Sequence, residues 1–315
     1  MGSRIAGMNI RPNWPPMPST PEWADTRATL HLWTQVVGKV RLALAPPVNH
    51  WWHVTLAVTA RGLTTLPMPC NDFMMEIAFD FIDHQLIIDL SDGRRRTLAL
   101  RPQSVADFYR RFMDELGALG ADVHVWPVPV EIPGWTTRFD QDLTHRSYDA
   151  AAVHSWWLVL SQVDEGLKEF RGGFLGKCSP VHFFWGGFDH AVTRFSGRRA
   201  PERPGADLVT REGYSHEVIS AGFWPGGGTV AEASFYAYAA PEPPGFKTAR
   251  VGPAAAFYST DFGGLFLLKY EDVRTAASPR DALMEFLETT YAAGATLAGW
   301  DRQALERAEG AAKHG

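Results

Sequence analysis

Phe73-Met74-Met75-Glu76-Ile77-Ala78-Phe79-Asp80-Phe81 is followed by Leu86-Ile87-Ile88-Asp89-Leu90, then Ser91-Asp92-Gly93, then Arg95-Arg96-Thr97-Leu98-Ala99-Leu100. Three short β-prone runs separated by turn residues read as neighbouring strands. Asp92-Gly93 is a hairpin signal, because glycine accepts the positive φ of a tight turn. Strands that follow one another without intervening helices pair antiparallel. The fold class is therefore α+β, with mainly antiparallel sheets and flanking helices.

Helices are expected on both sides of these strands. The stretch from about Trp23 to Leu44 reads as an amphipathic helix containing His31-x-Trp33, and His50 to Ala60 reads as a strand. Val105, Phe108, Phe112, Leu116 and Leu119 are spaced three or four apart, as one helix face requires, and Ser104-x-x-Asp107 supplies a cap. A second series follows the same order. Ala151 to Phe170, containing His154-x-Trp156, predicts a helix, and Val181 to Phe195, His216 to Trp224, Val230 to Ala239 and Leu265 to Tyr270 predict strands. Pro279 to about Leu297 predicts the closing helix, with Ser278 as its cap and proline in its first turn.

The recurrence predicts two related halves. Trp52 to Arg61 and Trp185 to Arg194 both span nine residues, and Thr59-Ala60-Arg61 resembles Val192-Thr193-Arg194. The expected organisation is an extended arm over 1–21, a first half over 22–126, a linker over 127–150, a second half over 151–300 and a tail over 301–315. Pro12, Pro15, Pro16, Pro18 and Pro21 shape the arm, and Met8 is an alternative start to Met1. Ser196 to Gly213 and Pro241 to Pro253 read as loops.

Composition narrows the function classes. The 315 residues are 45% hydrophobic and 21% charged, with a net charge of −5. Arg94-Arg95-Arg96 sits at a hairpin tip and reads as a solvated turn, so no nucleic-acid partner is expected. No apolar run reaches the ~20 residues needed to span a bilayer, and no signal peptide is recognisable, so a cytoplasmic protein without a membrane partner is expected. The two cysteines, Cys70 and Cys178, exclude a disulfide framework. Gly226-Gly227-Gly228 lies between strands and reads as a flexible turn, not a phosphate cradle. His50-x-x-His53 on a strand would diverge, and neither His-Glu-x-x-His nor Cys-x-x-Cys occurs, so no metal site is assigned. There is no Gly-x-Ser-x-Gly elbow either. No cofactor and no oligomeric state follow from the sequence.

Twelve tryptophans, many beside histidines, mark where chemistry could sit. On the strand expected at His50 to Ala60, Trp51, His53, Thr55, Thr59 and Arg61 share one face, and Trp52, Val54, Leu56 and Val58 the other. The densest polar set is His182, Trp185, Asp189 and Arg194 together with His216, Glu217 and Trp224. These expectations give His182 and His216 an acid or base role, Glu217 or Asp189 the task of orienting the imidazole, and Arg194 a substrate anion. Trp51, His53, Arg61, Trp185, Asp189, Arg194 and Trp224 are the expected ligand contacts. His182, Trp185, Arg194, His216 and Glu217 are expected around one cavity, because charged groups on aromatic strands need a partner, water or a ligand. Strand alternation opposes part of this, since His216 and Glu217 are adjacent.

Asn49-His50-Trp51-Trp52-His53-Val54, Ser179-Pro180-Val181-His182-Phe183-Phe184-Trp185, and Tyr214-Ser215-His216-Glu217 through Gly222-Phe223-Trp224-Pro225-Gly226 resemble motifs of a family of uncharacterised, mostly bacterial proteins filed as a domain of unknown function. The resemblance runs from about Trp23 to Asp301. It implies a free-standing cytoplasmic protein and carries over no reaction, ligand or catalytic residue. Two functions fit the residues: a protein with a small-molecule pocket lined by Trp, His and Arg, an enzyme using histidine acid/base chemistry among them, or a non-catalytic module whose aromatic strands form an interface between halves or subunits.

Overall fold

The computed structural model describes residues 14–18, 20–227 and 230–308. In chain order the first elements are α1 (Thr20–Leu44), β1 (Ala57–Val58), β2 (Gly62–Thr64), β3 (Met68–Cys70), β4 (Phe73–Asp80), β5 (Gln85–Leu90), β6 (Arg95–Ala99) and α2 (Val105–Ala118). Then come α3 (Ala150–Gly172), β7 (His182–Phe184), β8 (Asp189–Arg199), α4 (Leu208–Gly213), β9 (His216–Trp224) and β10 (Ser234–Ala240). The chain continues with β11 (Phe257–Ser259), β12 (Leu265–Lys269), α5 (Tyr270–Arg274), α6 (Pro279–Leu297) and α7 (Arg302–Leu305).

Both sheets are antiparallel. The first runs β1-β2-β4-β5-β6, with β3 paired to β4, and the second runs β11-β12-β10-β9-β8-β7. The hairpin after β5 closes as its Asp-Gly pair requires, with Gly93 at φ 91° and Leu90 N–H donating to Arg94 O at 2.9 Å. The arginines of that tip are paired: Arg94 with Asp92, Arg95 with Asp89 and Arg96 with Glu115. The caps form as their residues dictate. Ser104 Oγ accepts from Asp107 N–H, and Ser278 Oγ accepts from Asp281 N–H ahead of Pro279. Phe112 of α2 and Phe286 of α6 are fully buried.

One large hydrophobic core joins the two sheets and their helices, with a small second cluster of Phe195, Val218 and Ala240. The axis of the large core is α1, which buries Leu30, Leu32, Trp33, Val36, Val37 and Val40 and so is covered on more than one face. Trp33 stacks on Phe108 at 4.7 Å between centroids, and Trp23 meets Trp156 of α3 at 5.7 Å. The sheets touch where Leu56 and Phe183 exchange both backbone hydrogen bonds, at 2.9 and 2.7 Å. Within 127–150, Phe139 is buried and Glu131 pairs with Lys39 of α1. Trp14 is also buried, packing on Phe235 and Tyr270, while residues 1–13, including Met8 and Pro12, lie outside the described residues. In the tail, α7 is ordered against Phe174 and Leu175, and 309–315 lie outside the described residues.

Three expected elements differ. The strand over His50 to Ala60 is only Ala57–Val58, because Asn49–Trp51 forms a 3₁₀ turn with His50 and Trp51 at φ 59° and 61°. Two successive left-handed residues reverse the chain, so the two-face alternation drawn for Trp51, His53 and Arg61 does not apply there. Val181 to Phe195 is not one strand but the hairpin β7–β8, turned at Trp185–Phe188 with Phe188 at φ 59°. Ser196 to Gly213 is not all loop, since β8 continues to Arg199 and α4 follows. Gly226 and Gly227 take positive φ, and Gly228 lies outside the described residues.

Candidate functional site

Alternation along β8, β9 and β10 gives the second sheet two different faces. His190, Val192 and Arg194, with Ile219, Phe223 and Phe235, face the helices and the core. Asp189, Ala191, Thr193 and Phe195, with Val218, Ser220, Tyr236 and Tyr238, face a cavity of about 400 Å³. The cavity is roofed by Leu42 of α1, by the His50–Val54 turn and by Val209, Thr210 and Tyr214 in and after α4. A second cavity, about 710 Å³, adjoins it. Glu131, Gly186, Gly187, Asp189, Tyr214, Tyr236 and Tyr238 line both.

The polar centre is Asp189. Tyr236 O–H donates to its Oδ2 at 2.5 Å. Burial pushes the carboxyl up to about 6, and the Tyr236 hydroxyl restrains that rise. Burial also holds the Tyr236 phenol well above its ordinary range, so it stays a donor. Two glycines make room. A Cβ on Gly187 would sit 2.7 Å from Asp189 Oδ1, and one on Gly186 would sit 3.3 Å from Glu131 Cβ. The Gly186-Gly187 turn thus lies against the Glu131 stem on one glycine and the Asp189 carboxylate on the other. Glu131 Oε1 accepts from Lys39 Nζ at 2.8 Å, while its Oε2 is buried with no hydrogen-bond partner among the described residues. Trp185 forms an apolar wall, fixed by its Nε1–H donating to Val54 O at 2.6 Å and by its ring lying against Gly38 of α1. Tyr214 and Tyr238 hydroxyls meet at 2.9 Å, and Thr193 and Ser220 hydroxyls at 2.9 Å.

The sequence-derived residues divide. Trp51 and Trp185 line the smaller cavity, Trp224 the larger, and Asp189 both. His182 is buried beside them rather than lining either cavity. Thr55 O–H is spent on Trp52 O, so His182 Nδ1–H donates to Thr55 Oγ1 at 2.9 Å. Burial, with His190 and Arg41 nearby, pushes His182 down to about 3, which keeps it neutral. His53 is buried against the Val48 backbone, and Arg61 pairs with Asp80 and Asp83 on the surface. His216 lies beyond the cavity lining, 5.8 Å from the His50 ring, with Ser215 Oγ at 3.1 Å.

The gathering of His182, Trp185, Arg194, His216 and Glu217 around one cavity is not what the fold makes. Arg194 is 1% exposed on the helix-covered face. Its guanidinium lies 3.4 Å from the Phe170 centroid and 4.3 Å from that of Tyr291, donates to Phe170 O and pairs with Glu288. Odd-even alternation in β8 sends it opposite to Asp189 and Thr193. Glu217 is held by Arg198 at 2.7 Å, and Arg198 also donates to the Ala298 and Gly299 carbonyls at the end of α6. A cation on those terminal carbonyls is a helix-capping arrangement.

Sequence reasoning missed Tyr236, Tyr238 and Glu131. Ser234, Tyr236 and Tyr238 alternate with Phe235 and Ala237, which is a readable two-residue signal; nothing in the sequence marks Glu131. His50 and His53 take separate partners, the Glu212 carbonyl and the Val48 backbone, and among the described residues no three His, Cys, Asp or Glu side chains are grouped to hold a metal ion. Among the same residues no helix is long and apolar enough to cross a membrane.

Two antiparallel sheets with flanking helices, one sheet open to an aromatic and carboxylate-lined cavity, define an α+β protein of two sheets around a shared core. The chain belongs to a family of unknown function (DUF5996), whose model matches residues 14–307. No curated protein and no solved structure matches it.

Proposed function

We propose that the adjoining cavities hold a small organic ligand and that Asp189 exchanges a proton with it. The observation that carries this reading is a carboxyl poised at about 6, fixed by Tyr236 and lining both cavities. A group with a pKa near the working pH serves as both acid and base. Glu131 Oε2 supplies an acceptor for a ligand hydroxyl or amine, and Trp51, Trp52 and Trp185 supply apolar walls. Histidine acid/base chemistry is replaced in this reading by carboxyl chemistry, because His182 and His216 line neither cavity and burial lowers the basicity of both.

The free cysteines Cys70 and Cys178 support a reducing, cytoplasmic setting. The shared order of long helix, antiparallel sheet and closing helix supports descent of the halves from one unit. The alternative, aromatic packing between halves, has support on the other side of the second sheet, where Trp156 meets Trp23, Phe81 and Phe183.

A thermal-shift screen of small organic acids, alcohols and amines tests the reading. Compounds that stabilise the wild type and lose their effect in Asp189→Asn and Tyr236→Phe are the expected result. Compounds that stabilise all three proteins equally would place binding elsewhere.

A further inference from the structure

The smaller cavity is charged in one sense only. Among the described residues its lining holds two carboxylates, Glu131 and Asp189, and no lysine or arginine. His50, which also lines it, has no proton to offer an incoming group. Its Nδ1–H donates to Glu212 O at 3.0 Å, and its Nε2 accepts from Lys177 Nζ at 2.6 Å. The larger cavity shares Glu131 and Asp189 and adds Glu242 and Arg203. Arg203 is exposed, and its guanidinium lies over the Tyr214 ring at 4.2 Å instead of on a carboxylate.

The two shared carboxylates are matched differently. Glu131 Oε1 has Lys39, a residue that lines neither cavity. Asp189 has only the neutral Tyr236 hydroxyl, and among the described residues no cation pairs with it. A carboxylate drawn away from water needs a cation or else holds its proton. The partner that Asp189 lacks is therefore a positive one. Its surroundings suit such a group. Tyr214, Tyr236 and Tyr238 line both cavities with it, and Trp51, Trp52 and Trp185 line the smaller. The faces of these rings attract organic cations, as Arg203 on Tyr214 illustrates.

We infer that the ligand is an organic amine held as its ammonium ion, with the charge on Asp189 where the cavities adjoin and the hydrocarbon part against Trp51, Trp52 and Trp185. The inference rests on the reading that these cavities are a ligand site. It also names the proton that Asp189 exchanges. A protonated Asp189 releases its proton to water as an ammonium ion enters, or gives it to an amine that enters neutral; either route ends in carboxylate and ammonium. Other groups facing Asp189 do not compete near pH 6. Burial keeps Tyr236 and Tyr238 well above their ordinary range, pushes His31 down to about 4 and lowers His50. Tyr214 is bonded to Tyr238, Glu131 is paired with Lys39, and Glu242 and Arg203 are exposed. His190, next in β8, faces the helices.

Benzylamine, benzyl alcohol and benzoate test this on the full chain by titration calorimetry. At pH 7 benzylamine is expected to bind about tenfold more tightly than benzyl alcohol, as one charge-assisted hydrogen bond provides, and benzoate most weakly. An alkyl ammonium keeps its charge between pH 5 and 7, whereas Asp189 gains its proton below about 6. The advantage of benzylamine over the alcohol should therefore shrink severalfold at pH 5. In Asp189→Asn the two affinities at pH 7 should come close together. Benzyl alcohol or benzoate binding as tightly as benzylamine at pH 7 would overturn the inference and leave the cavity reading standing. An advantage that is the same at pH 5, or that survives Asp189→Asn, would overturn it equally. If none of the three binds, the cavity reading itself fails and takes this inference with it.

Discussion

Tyr236 reaches Asp189 across an intervening strand. Tyr236 is on β10 and Asp189 is on β8, and the strand between them carries Gly222 directly opposite Tyr236. A Cβ on Gly222 would lie 2.5 Å from the Tyr236 hydroxyl and 2.6 Å from His190 O. The glycine leaves a bare patch of sheet over which the phenol ring lies, ending 2.5 Å from Asp189 Oδ2. A mid-strand glycine that admits close approach is the physical reason this acid has its donor.

Gly222→Ala should therefore damage the site and the sheet together. The obstacle on one side is backbone, which cannot swing away, so an overpacking cost of about 1–3 kcal/mol is expected. Urea denaturation measures it. A variant as stable as wild type would show that Tyr236 does not need the bare patch.

Tyr236→Phe should raise the Asp189 pKa above about 6, because the hydroxyl is a restraint on the rise that burial causes. Carboxyl ¹³C chemical shifts followed over pH, with Asp189→Asn to assign the signal, give the value. A lower pKa in the Phe variant would contradict the role given to the hydroxyl.

The same raised pKa has a consequence for stability. Asp189 holds its proton more tightly folded than unfolded, where its ordinary value is 3.8. Its contribution is complete below about 3.8 and is lost as pH rises through about 6. Wild type should accordingly lose stability relative to Asp189→Asn between these two values. Paired denaturation curves at pH 4 and 6.5 check the sign.

His31 and His182 act in the opposite direction. Burial pushes them down to about 4 and about 3, from an ordinary 6.5. Their contribution is present above pH 6.5 and is lost as pH falls toward those values, since each must stay neutral in its buried place. His31 Nε2–H donates to the Trp185 and Gly186 carbonyls at 3.0 Å, so its protonation bears on the cavity wall. His31→Gln should flatten the acid limb of the stability curve, and an unchanged limb would remove His31 from that account.

Arg194→Met should reduce stability by about 1–3 kcal/mol and leave cavity binding unchanged. The side chain lies between Phe170 and Tyr291 on the face of the sheet away from Asp189. Calorimetry of unfolding and the thermal shifts caused by cavity ligands separate the two effects. Weakened ligand binding without loss of stability would contradict this placement.

Much of the fold is readable from local chemistry. The Asp92-Gly93 turn, the Ser104 and Ser278 caps and the three-four spacing around Phe112 and Phe286 are short-range signals that depend on a few neighbouring residues, and each element forms where those residues stand. Hydrophobic periodicity likewise placed α2, α3, α6 and β9 within a residue or two of their bounds. The 50–60 segment misled because Trp, His and Val favour strands, whereas the left-handed turn at His50 and Trp51 is imposed by contacts with Glu212 and Lys177, far along the chain.

The site was legible only in part for the same reason. Asp189, Trp51, Trp185 and Trp224 stand in aromatic runs that local reading singles out, and all four line the cavities. Which face Arg194 takes depends on where β8 begins, and a shift of one residue exchanges the faces of a strand. Glu131 enters the site from a connecting segment because Lys39 holds it, 92 positions away in the chain. Local composition thus decides which residues form helices, strands and turns, because those preferences act over a few bonds. The meeting of Asp189, Tyr236 and Glu131 around one void is decided by strand register and helix packing, which couple residues that are distant in sequence.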